Sequence, residues 1–484
     1  MPFQNIVGDA GFYIFQQVYP MIGISVMLAT SGFPVIISKL LNDYGTANRA
    51  IILRVSMLFL SAVGLGFFLL LFAGAEAIAG FMGDPDLTGV IRTVSFSYLL
   101  LPFVSSLRGY FQGGERMLPP SLSQIGEQTL RVGAILILTW WLVKNGFSLY
   151  DAGAGAAFGS LVGGLAAFFI LAVFWAKREK HPAAAGIEAG TGDILKQLCL
   201  YSVTICTAGL MLILIQLVDA LNLYSLLAGQ GMDELQAKHT KGVYDRGQPL
   251  LQLGTVFAAS IATALVPSLT KAKKKGETAV LEEKIRYSLK MSFVIGTGAA
   301  AGLICILEPV NVMLFKNSDG TAALQIFSVS ILFASLAITM TAVLQGLGNT
   351  CLPAVSVCCG FFVTAVLNEL LIPGFGISGA AFATMMSFAA VAGLNFFQLK
   401  RKGWIKLPEY RIAGVLRSAV IMSAALAVWL FAFEAAIPHE NRWIAAAESL
   451  SAGFVSGVVF LSVSSHYECF QKKNLSLYLL AASS

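Results

Sequence analysis

The sequence predicts an all-α integral membrane protein, and three observations carry that prediction. Of 484 residues, 57% are hydrophobic and only 12% are charged, with a mean hydropathy of +0.76. A soluble domain holds about 25% charged residues, because a wetted surface needs them. The apolar residues gather in runs long enough for the roughly 20-residue helix that crosses a bilayer core. Between the runs lie turn formers and basic residues, as expected of loops flanking membrane spans. The net charge of +6 therefore reads as loop charge, not as a nucleic-acid footprint.

Thirteen such runs are read, in the order 12–38, 50–80, 88–107, 119–143 and 152–176, then 194–228, 247–270, 286–308, 321–345, 350–372, 377–399, 412–435 and 443–465. Pro119 and Pro120 open the fourth, since proline suits a first helical turn. The implied organisation is an N-terminal lobe of five helices over 1–176, a cytoplasmic linker at 177–193, a second lobe of six helices over 194–404, and two extra helices with a tail over 405–484. Orientation follows from Lys and Arg in alternate loops. One set holds Lys39, Arg49, Arg108, Arg116, Lys177, Arg178, the lysines of 271–275, and Lys400–Lys402. The other holds Lys144, Lys238, Lys241, Arg246, Lys316 and Arg442. The first set is the richer, which places it in the cytoplasm, the N-terminus outside and the C-terminus inside.

An internal repeat organises these runs. SGFPVIISKL pairs Pro34 with Pro267 in TALVPSLTK. YFQGGERMLPPS pairs Gln112–Gly113 with Gln345–Gly346, and Pro120 with Pro353; each offset is 233 residues. A third pair aligns Gly155 with Gly379 at an offset of 224. Run 247–270 then matches 12–38, and 194–228 has no partner in the first copy. The opening MPFQNIVGDAGFY reads as a connection between two helices, the first of them missing before Met1. A start codon set too late is the preferred reading, and true loss of the helix is the alternative. An even-numbered copy keeps both repeats in one orientation, as in parallel-repeat transporters.

Charge within the spans is costly and usually faces a cavity. The fourth span carries Gln124, Glu127, Gln128 and Arg131, with Glu127 and Arg131 one helical turn apart in ion-pairing order. Gln216 and Asp219 lie in the sixth. Tyr244, Asp245, Arg246, Gln248 and Gln252 open the seventh. A purely structural, self-neutralising pair is the competing reading for Glu127–Arg131, and snorkelling to the interface is that for Arg92 and Lys196. The seven cysteines include no CxxC pair, and the four histidines all lie in polar connections. No metal or cofactor is expected. No GxxxxGK[ST] loop is present, so ATP hydrolysis is not expected, and no nucleophile–base constellation points to an enzyme.

The stretches PFQNIVGDAGFYIFQQVYP, SGFPVIISKL, FQGGERMLPPSLSQIGEQTLRV and VYDRGQPLLQLGTVFAASIATALVPSLT resemble the polysaccharide-biosynthesis branch of the multidrug/oligosaccharidyl-lipid/polysaccharide exporter superfamily. Within it they are similar to stage V sporulation protein B-like proteins and lipid II flippases. The resemblance implies a V-shaped, two-lobe, MATE-like transporter of fourteen helices, in groups of six, six and two, that moves undecaprenyl-linked sugars between leaflets. It implies cavity arginines that hold the pyrophosphate, with Arg246 matching a tyrosine-to-arginine motif, and a lipid-tail groove formed by the last two helices. Two features depart from that pattern: the first helix with its basic residues is missing, and uncharged FQQVYPMIGIS replaces a basic cluster.

The expected function is a transporter in the bacterial cytoplasmic membrane. It would flip undecaprenyl-pyrophosphate-linked glycan, either lipid II or a polysaccharide precursor, for cell-wall or polysaccharide biosynthesis. Arginine suits that task, since its fork binds phosphate bidentately. Substrate binding is assigned to Arg131, Arg246, Glu127, Asp219, Gln124, Gln248 and Tyr244. The partners are the glycan lipid, membrane lipids and a coupling ion, and no nucleic acid. Two rivals are a cation-coupled multidrug antiporter of the same fold and a non-transporting scaffold in sporulation or cell-wall assembly.

Overall fold

The computed structural model describes residues 2–45, 48–178, 190–405, 412–437 and 442–467. Most of the linker read over 177–193, namely 179–189, lies outside the described residues, as do 468–484 of the tail, His181, His439 and Cys469. Among the described residues every regular element is helical and no strand occurs. Eleven helical stretches among the described residues are long and apolar enough to cross a membrane.

The chain forms two compact units, Met1–Gly242 and Val243–Ser484. The first begins with α1 (Pro2–Met27), a π-helical turn at Leu28–Gly32 and α2 (Phe33–Tyr44). The opening residues, read as a loop, are helical. The exception is Gly8, whose φ of 71° breaks the helix at one residue. Glycine reaches that left-handed conformation without a Cβ clash. Phe3 and Val7 are buried, and the Phe3 ring lies 5.0 Å from that of Phe15, so packing overrides the turn-forming composition.

Next come α3 (Arg49–Ala73), α4 (Ala75–Phe81), α5 (Thr88–Ser95) and α6 (Leu101–Gly113), with 3-10 turns at Pro85–Leu87 and Phe96–Leu100. The run read over 50–80 is thus divided at Gly74. The run read as ending at 107 continues to Gly113, which puts Arg108 inside a helix and not in a loop. Then α7 (Leu118–Lys144) and α8 (Leu149–Ala176) pack along each other, with Ser148 and Asp151 forming a capping box at the start of α8. Lipid gives helices no hydrophobic reason to associate, so small residues at the contact matter most. Gly155, Gly159 and Gly163 recur every four residues on α8. A Cβ on them would come within 2.6 Å of Leu142, 2.8 Å of Ile135 and 2.8 Å of the Glu127 carbonyl oxygen, respectively. This stripe holds α8 against α7 from Glu127 to Leu142.

The first unit is completed by α9 (Thr191–Tyr201), a π turn at Ser202–Cys206, α10 (Thr207–Gly209) and α11 (Met211–Gly229). These pack on α1, α2 and α3. Gln197 donates to the Tyr44 hydroxyl at 2.9 Å, Gln216 to the Gln16 side chain at 3.3 Å, and Tyr13 and Tyr224 stand 5.0 Å apart. The repeat sets the sequence division at 177–193, whereas packing sets the boundary between units at Gly242, because 191–229 buries its apolar face in the first unit's core beside Ile36, Ile52 and Leu101. The boundary falls in α12 (Glu234–Asp245), a helix where the sequence suggested a polar connection.

The second unit contains α13 (Gly247–Lys274), α14 (Thr278–Phe315), α15 (Thr321–Gly346), α16 (Cys351–Arg401), α17 (Ile412–Ala436) and α18 (Arg442–His466). The 51-residue α16 is broken at Gly376, with φ 55° and ψ −136°. The α17–α18 pair packs on α14 around Val294, Met422 and Phe460. The helix ends reproduce the repeat: α6 ends at Gly113 and α15 at Gly346, while α7 starts at Leu118 and α16 at Cys351. The two glycines also do the same job. A Cβ at Gly113 would lie 2.9 Å from Leu41 Cβ on α2, and one at Gly346 would lie 2.9 Å from Leu269 Cβ on α13.

Candidate functional site

The site in the first unit grows from α7. Pro119 and Pro120 occupy its buried first turn, where their missing N–H groups are no loss. Two turns on, the buried Glu127 carboxylate is shared by two arginines. Arg131, one turn further along the same helix, donates from Nη2 to Glu127 Oε1. Arg108 of α6 donates from Nη2 to Glu127 Oε2 at 2.7 Å. Arg108 is fully buried, and its other donors are also used: Nε to Ser123 Oγ at 2.9 Å and Nη1 to the Ala29 carbonyl at 3.1 Å. Ser123 in turn donates to the Pro120 carbonyl at 2.7 Å.

Two guanidinium groups therefore face one carboxylate, and the cluster carries one net positive charge inside a helical bundle. A buried charge is tolerated only when paired and hydrogen-bonded, and here one of the three is left uncompensated. The side chain of Arg131 is 12% exposed where that of Arg108 is 0%. Arg131 and Glu127 line a cleft with Ser25, Ser97, Ser160 and Leu101. The arrangement offers positive charge and hydroxyl groups to an anionic ligand, and it has no nucleophile with a base beside it. Among the described residues no group of three His, Cys, Asp or Glu side chains could hold a metal ion.

A second polar cluster sits at the other end of this unit. Buried Asp84 accepts from Tyr13 Oη at 2.9 Å and from Tyr150 Oη at 2.7 Å, and Lys238 Nζ lies 3.8 Å away. Lys238 also donates to Tyr150 Oη at 2.6 Å and to Glu234. His239 Nε2 lies 3.2 Å from Asp9 Oδ2. Residues distant in sequence, on α1, α8, α12 and the 82–87 turn, are pinned together there.

The second unit has its own buried arginine. Arg246 Nη1 donates to Asn311 Oδ1 at 3.0 Å and Asn317 Oδ1 at 2.6 Å, and its guanidinium carbon lies 4.8 Å from the Phe315 ring centre. Tyr244 Oη is 3.0 Å from Thr384 Oγ1, and its ring meets Phe327 edge-on at 5.5 Å.

Of the residues assigned from sequence, Glu127 and Arg131 are brought together as their spacing implied. Gln124 lies half-buried on the same helix, and Asp219 is buried on α11. Tyr244 and Arg246 contact separate partners in the second unit, and Gln248 is buried at the start of α13. Arg108, Asp84, Tyr13 and Tyr150 were missed. Arg108, which the sequence reads as a loop charge, lies inside α6, and the Ser and Gly residues of SSLRGYFQG give no local sign that the helix continues through it. Lys238 and Lys241, also counted as loop charges, are buried on α12.

Residues 1–273 match the family model described as polysaccharide biosynthesis protein. An uncharacterized membrane protein, YabM of Bacillus subtilis (strain 168), is 55% identical over 468 residues, covering 95% of this chain and 87% of its own. Lipid II flippase MurJ of the same organism is 26% identical over 494 residues, covering 95% and 90%. A solved structure of lipid II flippase MurJ in an inward closed conformation has the same fold, with TM-score 0.69 at 13% identity over 96% of this chain and 95% of that one.

Membrane-spanning helices in this arrangement define the class: a multi-pass membrane transporter, not an enzyme. The chain belongs to the polysaccharide biosynthesis protein family, within the flippase-like branch of the multidrug/oligosaccharidyl-lipid/polysaccharide exporter superfamily.

Proposed function

We propose that this protein moves an undecaprenyl-pyrophosphate-linked glycan across the bacterial cytoplasmic membrane. The observation that supports this most is the shared carboxylate. Glu127 cannot neutralise both Arg108 and Arg131, so a positive charge persists beside a cleft. A pyrophosphate headgroup cannot cross hydrocarbon unaided, and fixed arginine donors replace the water it leaves behind. Arg131 is the contacting residue in this reading, because it is the more exposed arginine of the cluster. Glu127 orients it, and Gln124 extends the polar face of α7.

In the second unit Arg246, positioned by Asn311 and Asn317, is assigned to substrate binding together with Tyr244 and Gln248. Asp219, buried on α11, is assigned to coupling or to substrate binding. The relatives support the substrate class, since one of them is named a lipid II flippase. The loop charges favour an N-terminus outside and a C-terminus in the cytoplasm.

Purified protein in vesicles carrying a fluorescent polyprenyl-pyrophosphate glycan tests the reading. Translocation by the wild type, lost in Arg131→Gln at unchanged membrane insertion, is the expected result. Movement of cationic dyes with none of the glycan lipid would replace this reading with that of a drug antiporter.

A further inference from the structure

In the transport reading Arg246 takes part in substrate binding, yet it is wholly buried in the second unit. Part of its cover comes from the end of α14 and from the turn 316–320 that leads into α15. The guanidinium carbon lies 4.8 Å from the Phe315 ring centre, and Nη1 donates to Asn311 Oδ1 at 3.0 Å and to Asn317 Oδ1 at 2.6 Å. Asn317 sits on the turn itself, and its Oδ1 also accepts from the Asp319 backbone N–H at 3.4 Å. Asn311 ties helix to turn: its amide donates to the Asp319 carbonyl at 2.8 Å and to Thr321 Oγ1 at 3.3 Å. The turn is thus folded around the arginine.

The turn is built to come away. Its residues, Lys316, Asn317, Ser318, Asp319 and Gly320, include no apolar side chain to bury, and Lys316, Ser318 and Asp319 are exposed. Segments with few buried apolar contacts open at low free-energy cost. Lys316 stands in the left-handed region at φ 71°, a conformation that strains a residue other than glycine. Gly320, at φ 69°, lies so near Val243 that a Cβ would come within 2.3 Å of its Cγ1, so the turn closes directly onto the residues that precede Arg246. The Asn317 amide is a neutral acceptor. Hydrogen bonds between two charged partners are about twice as strong, so an anionic oxygen displaces it.

We infer that the turn 316–320 is a lid that competes with the substrate for Arg246. With the lid shut, Asn317 occupies the donor that a phosphate oxygen would take. With it lifted, Asn311 still orients the guanidinium and Nη1 is released to the headgroup. Asn317 therefore sets the fraction of molecules ready to bind, and apparent affinity scales with that fraction. The inference deepens the transport reading and rests on its assignment of Arg246 to an anionic headgroup.

The test follows modification of Arg246 by phenylglyoxal in the full-length protein in detergent, read peptide by peptide by mass spectrometry, with and without polyprenyl pyrophosphate. Without lipid, Asn317→Ala should speed modification of Arg246 about tenfold over the wild type, the equivalent of one hydrogen bond of 1.4 kcal/mol. Asn317→Asp should slow it below the wild type, since a carboxylate holds the guanidinium more firmly. Ser318→Ala, exposed in the same turn, should match the wild type, and Arg131 should react alike in all four proteins. Polyprenyl pyrophosphate should protect Arg246 in Asn317→Ala at about a tenfold lower concentration than in the wild type. An Asn317 that merely held Arg246 ready for the headgroup would give the reverse, weaker protection in the alanine variant. That result overturns the inference. So does unchanged Arg246 reactivity in Asn317→Ala, or faster modification in both Asn317 variants. Arg246 uncovered by Asn317→Ala but protected by the lipid in none of the proteins would uphold the lid and remove the headgroup assignment, so the two failures are told apart.

Discussion

Arg108 and Arg131 donate to opposite oxygens of one carboxylate, that of Glu127, from two different helices. This junction fixes α6 against α7 and decides which arginine is available. Arg108 is saturated by Ser123, Ala29 and Glu127, so it anchors. Arg131 borrows the remaining oxygen and keeps an unused donor.

Glu127→Ala should therefore be the most damaging substitution in the cluster, since it strands two buried guanidinium groups. Breaking a buried pair costs about 3–5 kcal/mol. Thermal unfolding of the purified protein should rank Glu127→Ala as least stable, Arg108→Met next, and Arg131→Gln nearest the wild type, because Arg131 alone is partly exposed. An Arg131 variant less stable than the Arg108 one would mean that the exposed arginine is the structural one.

Asp84 is the common acceptor at the opposite end of the first unit. Asp84→Ala should leave Tyr13 and Tyr150 without it and remove the carboxylate near Lys238. The expected loss is about 1–3 kcal/mol. Hydrogen exchange should quicken in 82–88 and around Tyr150, while α13–α18 keep their protection. Uniform loosening of the whole chain would contradict a local clasp.

The paired glycines give a symmetric expectation. Gly113→Val and Gly346→Val should each force apart two helices in close contact, α6 from α2 and α15 from α13, because the first added carbon already meets Leu41 or Leu269 at 2.9 Å. Overpacking of that kind costs about 1–3 kcal/mol. Both variants should melt earlier by similar amounts, whereas Gly133→Ala, with nothing within 4 Å, should be silent.

These glycines also indicate how much could be read from the sequence. Gln112–Gly113 and Gln345–Gly346 revealed the repeat by spacing alone, and the helix ends fall at the same offset. Glu127–Arg131 was legible because one helical turn guarantees the contact. Arg108–Glu127 was not, since the pair bridges two helices whose crossing no local pattern encodes, and the apolar run in the sequence ends at Leu107. Asp84, Tyr13, Tyr150 and Lys238 were hidden for the same reason. Gly8 misled in the other direction: turn-forming residues around it concealed a helix that needs only one left-handed residue to change direction.

The most direct measurement of the central claim is translocation of a fluorescent polyprenyl-pyrophosphate glycan in reconstituted vesicles, compared among wild type, Arg131→Gln and Arg92→Gln. Arg92 supplies the control because it makes an exposed pair with Glu76, remote in kind from the buried cluster. The account expects wild-type and Arg92→Gln vesicles to move the lipid and Arg131→Gln vesicles to lose at least about tenfold in rate, the worth of a single 1.36 kcal/mol contact. Equal rates in all three, at equal insertion, would contradict it.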